Sequence, residues 1–169
     1  MNLEKALAKE HSKAQCERIV GYIGGDPERF AALMGLFFRG EYRITQRASW
    51  PMSYCVQNHP ELVIPYYRQL IEQLERKDTH TAVTRNILRL LQDLTIPEEF
   101  QGRVMNACFD FILEPGVPVA IKAFSLTVLE NLSLHYPEIL PELKIVIESE
   151  WDRSTAAFRS RARKILSKL

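Results

Sequence analysis

The tetrapeptide pattern Pro-Glu-x-apolar occurs four times in this chain: Pro27-Glu28-Arg29-Phe30, Pro60-Glu61-Leu62-Val63, Pro97-Glu98-Glu99-Phe100 and Pro137-Glu138-Ile139-Leu140. Its prolines are separated by 33, 37 and 40 residues. A period of that length is the mark of a repeat built from one supersecondary unit, stacked on copies of itself. Each copy makes physical sense as a helix start. Proline at the first helical position loses no hydrogen bond it could have made, and its φ is already helical. The glutamate behind it faces the positive end of the helix dipole, worth about 0.3–1 kcal/mol. Asp26 adds an N-cap to the first copy.

The residues after each start repeat as well. Apolar side chains fall at Phe30, Met34 and Phe37; at Val63, Tyr67, Leu70 and Leu74; and at Phe100, Val104, Ala107 and Phe111. These steps of four, three and four describe one face of a helix. The fourth copy, Leu140, Leu143, Ile147 and Trp151, has a looser register. A second set of stripes lies between the first: Ile44, Ala48 and Met52; Val83, Ile87 and Leu91; Ala120, Phe124 and Val128. Breakers separate the units at Gly24-Gly25, Gly40, Arg76-Lys77-Asp78 and Pro115-Gly116. The expected map is an N-terminal helix over about 3–23 and a second to about 38, together the first hairpin (3–38). Hairpins over about 41–76, 79–114 and 117–152 come next, with a closing helix over 154–169 whose apolar face is Phe158, Ala162, Ile165 and Leu169. No segment reads as a strand. The fold class is all-α, about nine helices in a single domain over 1–169.

Helix pairs at this spacing resemble HEAT or HEAT-like repeats, which stack into a curved α-α superhelix. Pro51, inside the first helix of its hairpin, resembles the proline kink common there in HEAT repeats. The aspartate and arginine of the usual HEAT signature have no clear counterparts. More closely, the chain is similar to a group of small bacterial HEAT-like proteins, some of which carry an adenylosuccinate lyase label. The glycine- and serine-rich signature loop of that lyase has no equivalent in this sequence.

Composition sets the remaining bounds. Hydrophobic residues at 46% and charged residues at 25% fit a folded domain rather than a disordered chain. A formal charge of +1 argues against a surface basic throughout, though a local patch is compatible with it. Cys16, Cys55 and Cys108 are an odd, widely spaced set, so reduced thiols are expected rather than a disulfide framework. With no signal-peptide run and no apolar stretch of membrane length, a cytoplasmic protein is the expectation.

Catalytic and cofactor motifs are missing. The glycines form no phosphate-cradling loop, and His11, His59, His80 and His135 lack metal-ligand spacing. No catalytic residue, cofactor or metal site is expected. His59 and His135 each precede a Pro-Glu start and read as polar caps of the helix before it. Cys55 and Cys108 read as small core residues.

The one charged pattern is basic. Arg43 and Arg47, Arg85 and Arg89, and Arg159 and Arg163 are i, i+4 pairs, and Lys122 lies 37 residues from both Arg85 and Arg159. Stacking brings equivalent positions onto one surface, so these residues, with the aromatic Trp50, form a candidate binding stripe. The segment 153–168 adds to it, with six basic residues and no acidic one. Such a stripe takes nucleic-acid phosphates or an acidic partner. Alternatively, its arginines bridge to carboxylates of neighbouring units, with Glu61, Glu98 and Glu138 at hand. Two functions are therefore carried forward. One is a non-catalytic scaffold holding an unidentified protein partner. The other is nucleic-acid binding, distantly resembling the DNA alkylation repair HEAT-like family, whose enzymes use an aromatic-lined cleft with an aspartate. Pairing between copies through the N-terminal helix, at Leu3, Leu7 and Ile19, is a further expectation.

Overall fold

Side-chain caps open five of the ten α-helices in the computed structural model, which describes residues 1–169. Ten α-helices and three 3-10 turns make up the chain, and no strand is present. They fall into two compact units, Met1–Leu70 and Ile71–Leu169.

The first unit holds α1 (Leu3–Lys9), α2 (Lys13–Ile23), α3 (Pro27–Arg39) and α4 (Tyr42–Asn58), followed by a 3-10 turn, Pro60–Tyr66. The expected single helix over 3–23 is two helices. Asn2 caps the first, accepting the Lys5 N–H at 2.9 Å, and Ser12 caps the second, accepting that of Gln15 at 3.1 Å. A mid-helix serine that can serve as a cap ends the preceding helix when other groups satisfy the freed carbonyls. Here they do: Gln15 Nε2 donates to the Ala6 carbonyl at 2.6 Å, and Arg47 donates to the next two. Asp26 caps α3 through the N–H groups of Glu28 and Arg29, as its position before Pro27 implies. Helix α4 is the centre of this unit, packed by α1, α2 and α3. Its buried side includes Ile44, Ala48, Met52 and Cys55, with Pro51 inside the helix. Leu3, Leu7 and Ile19 are core residues at 7%, 2% and 1% exposure. That overturns the expectation that they offer an open pairing face.

Helix α5 (Tyr67–Glu75) runs across the boundary between the units. The second unit continues with α6 (Thr81–Leu91), α7 (Glu98–Leu113), α8 (Val119–Ser133), α9 (Leu140–Glu150) and α10 (Ala156–Leu166). The repeated Pro-Glu starts differ in detail. Pro27 opens an α-helix, Pro97 is the N-cap of α7, and Pro60 and Pro137 open 3-10 turns that lead into α5 and α9. The central element is α8, packed by α6, α7 and α10. Ile121, Ala123, Ser125, Leu126, Val128, Leu129 and Leu132 are all buried, a nearly all-round burial that one stripe does not describe. Accordingly Ala120 and Phe124, expected in the core, are half-buried, as is Val83 on α6. Phe158, Ala162 and Ile165 seat α10, whereas Leu169 is exposed.

Candidate interaction surface

The repeat-equivalent cations have a common structural use at three of four positions. Arg47 Nη1 donates to the carbonyls of Leu7 and Ala8, both at 2.8 Å, in the last turn of α1. Lys122 Nζ donates to the carbonyl of Ile112, in the last turn of α7, at 2.7 Å. Arg159 Nε donates to the carbonyl of Trp151, just past the end of α9, at 3.1 Å. Each places a positive group on the end of a helix whose carbonyls are orphaned and whose dipole is negative, a contribution of about 0.3–1 kcal/mol. The neighbouring units do supply partners for these cations, but mainly carbonyls. Glu98 and Glu138 make no ion pair, and Glu61 lies 3.4 Å from His59 Nδ1 instead. Arg85 breaks the pattern and, like Arg43, Arg89 and Arg163, forms no ion pair.

Two carboxylates do enter this network, and neither was singled out from the sequence. Glu150 accepts Lys122 at 3.1 Å and Arg153 at 2.8 Å; Glu130 accepts Lys168 at 2.5 Å and lies 4.0 Å from Lys164. Both glutamates are buried. For Glu130 the signal was a lone acid inside an apolar stretch, Val128-Leu129-Glu130, which predicts a buried partner. Glu150, among Glu148, Ser149 and Asp152, carried no such signal. Much of the charge of segment 153–168 is thereby neutralised. What remains is an aromatic cluster. The guanidinium carbons of Arg159 and Arg163 lie 5.8 and 5.5 Å from the centroid of the half-buried Trp151 ring. Trp50 packs edge-on against His11, with ring centroids 5.3 Å apart.

Potential nucleophiles are sequestered. Cys16, Cys55 and Cys108 are free and buried. Burial pushes their thiols up to about 11, 12 and 12 respectively, with a smaller upward push on Cys16 from the Glu17 carboxylate. Iodoacetamide at pH 8 is expected to leave all three unmodified in the folded protein and to alkylate all three in guanidinium, read by mass spectrometry. Above about pH 9, the ordinary thiol value, unfolded cysteines ionise while folded ones stay protonated, so stability falls as pH rises. His59 closes α4, its backbone N–H donating to the Cys55 carbonyl, in keeping with a capping role. No group of three His, Cys, Asp or Glu side chains is placed to hold a metal ion.

Two cavities open in the second unit, on either side of the α7–α8 loop. One, of about 250 Å³, has Leu113, Val119, Lys122 and Phe158 in its wall. The other, of about 520 Å³, lies against α5, α6 and α7. Leu113 and Val119 are 48% and 53% exposed at the mouth of the first.

Helices in repeating pairs, with cations clipping successive helix ends, describe a helical repeat protein. The chain belongs to the HEAT repeat domain family, which matches it over residues 3–169. No curated protein and no solved structure matches it. HEAT repeats are generally protein–protein interaction scaffolds, and the family is typically non-enzymatic. No helix is long and apolar enough to cross a membrane.

Proposed function

We propose that this chain is a non-catalytic protein-interaction module, a single repeat domain over 1–169 acting in the cytoplasm. The observation that carries the reading is the pair of exposed apolar side chains, Leu113 and Val119, at the mouth of a cavity beside the α7–α8 loop. Exposed apolar groups gathered at a concavity favour a protein partner, which removes them from water. Buried, free thiols suit a reducing compartment. Affinity purification from the native host is expected to retain a stoichiometric protein partner with the wild-type chain and to lose it with Leu113→Glu/Val119→Glu. Equal recovery with the double variant would sink this surface.

A second reading, nucleic-acid binding, is favoured by Trp151 and its two flanking guanidiniums, with Arg161 Nε bonded to Thr127 rather than to a carboxylate. Against it, Arg47, Lys122 and Arg159 are engaged with helix ends. The measurement is oligonucleotide binding at low ionic strength. The scaffold reading expects no shift; a salt-sensitive shift weakened by Arg163→Glu would favour phosphate binding.

A further inference from the structure

The larger cavity of the second unit has the makings of a peptide groove. Its floor is apolar, with Leu74, Ala107, Phe111 and Ile121 contributing. One edge is a row of Arg103, Asn106 and Asp110 along α7, continued by Glu114 at its C-cap. Residue 103 to the helix end at Leu113 spans about 15 Å at 1.5 Å per residue, the length of about four to five extended residues.

Charge along the rim is partly settled within the protein. Arg103 bonds Glu75 through both Nε and Nη2, at 2.6 and 2.5 Å, which holds the Glu75 carboxyl below its usual range. Arg76 is likewise bound to Asp78 at 2.8 Å. Asp110 and Glu114 have no ion pair. They sit one turn apart on the same face, an unfavourable like-charge arrangement, at the negative end of the α7 dipole. Lys77 is the other unpaired charge on this rim. Thr84 lines the cavity and is only 6% exposed, so it belongs to the floor rather than the rim.

We infer that this groove receives an extended segment of a partner protein, with an apolar side chain on the floor and a Lys or Arg on Asp110 and Glu114. The inference rests on the interaction-module reading and adds to it the chemistry of the partner.

The test is selection of random heptapeptides displayed on phage against the whole chain, followed by anisotropy with the best sequence, synthesised with a fluorescein label. Selected sequences are expected to combine Leu, Ile, Phe or Met with Lys or Arg. Binding is expected to weaken about tenfold with Asp110→Asn/Glu114→Gln, the scale of a lost charge-assisted contact. Asn106→Trp, which fills the groove from an exposed position, is expected to weaken it as well, and Arg163→Ala to leave it unchanged. These groove positions are exposed and their side chains unpartnered, so an unchanged urea midpoint confirms that the fold is kept. Sequences without a basic residue, no enrichment at all, or indifference to the groove variants would overturn the groove. A selected peptide that ignores them but is lost with Leu113→Glu/Val119→Glu would overturn the groove while leaving the module reading intact.

Discussion

Phe158→Ala is expected to lower the free energy of unfolding by about 3–5 kcal/mol, the range for emptying a buried aromatic site, and to release α10 before the rest of its unit. Phe158 is 2% exposed, and with Ala162 and Ile165 it forms the whole buried face of α10. The polar ties of this helix are weaker. Arg161 reaches Thr127 at 3.1 Å and Lys168 reaches Glu130 at 2.5 Å. Arg161 and Lys168 keep part of their side chains in water, so solvent screens both contacts. An isolated helix of this length is marginal in water. With Phe158 removed, little holds it. Amide exchange is the readout: protection across Ala156–Leu166 is expected to fall well before protection in α8. A uniform loss across the second unit would show that α10 unfolds with its neighbours. A stability change under about 1 kcal/mol would show that the site collapses without leaving a cavity.

The same helix shows which parts of the fold were legible in the sequence. Phe158, Ala162 and Ile165 are spaced to share one face, and a terminal helix has only one side to bury, so the stripe and the observed core coincide. Phe30, Met34 and Phe37 on α3, and Leu70 and Leu74 on α5, were legible from the same spacing. Val63, by contrast, is buried from the 3-10 turn before α5 and is not part of that helix's stripe. Periodicity fails where a helix is enclosed. Three helices surround α8, so its core residues are not one stripe and Ala120 and Phe124 lie off the buried side. It fails again at residues 10–12, where apolar spacing carries across a break that Ser12 imposes through a single hydrogen bond.

The candidate site was legible as a spacing and not as a role. Equal intervals between Arg85, Lys122 and Arg159 come from the repeat, but a cation's partner lies far off in sequence: Arg47 meets a carbonyl 40 residues away, and Lys122 a carboxylate 28 residues away. Sequence alone gives no reason to choose a carbonyl over a phosphate. The groove was less legible still. Asp110 and Glu114 read as ordinary surface acids until α5 and α6 supply the other wall.

Lys122 decides between those roles by measurement. Its side chain is 14% exposed and that of Glu150 9%, so the pair sits largely out of water. Removing one partner of a buried pair leaves an uncompensated charge, which is far more costly than removing both. Lys122→Met is therefore expected to destabilise by about 3 kcal/mol. It also withdraws the donor at the Ile112 carbonyl, leaving Glu150 with Arg153, a side chain that is 71% exposed. Lys122→Met combined with Glu150→Leu is expected to recover to within about 1 kcal/mol of the wild type, since both desolvation penalties vanish together and two apolar side chains take the space. Urea unfolding of the two single variants and the double closes the cycle, with a coupling of at least about 2 kcal/mol expected, larger by whatever Glu150→Leu costs alone. If instead Lys122→Met left stability untouched and abolished binding to an anionic ligand, the lysine would belong to an exposed binding surface. The Ile112 and Glu150 contacts would then be incidental, and the same doubt would extend to Arg47 and Arg159 at the equivalent positions.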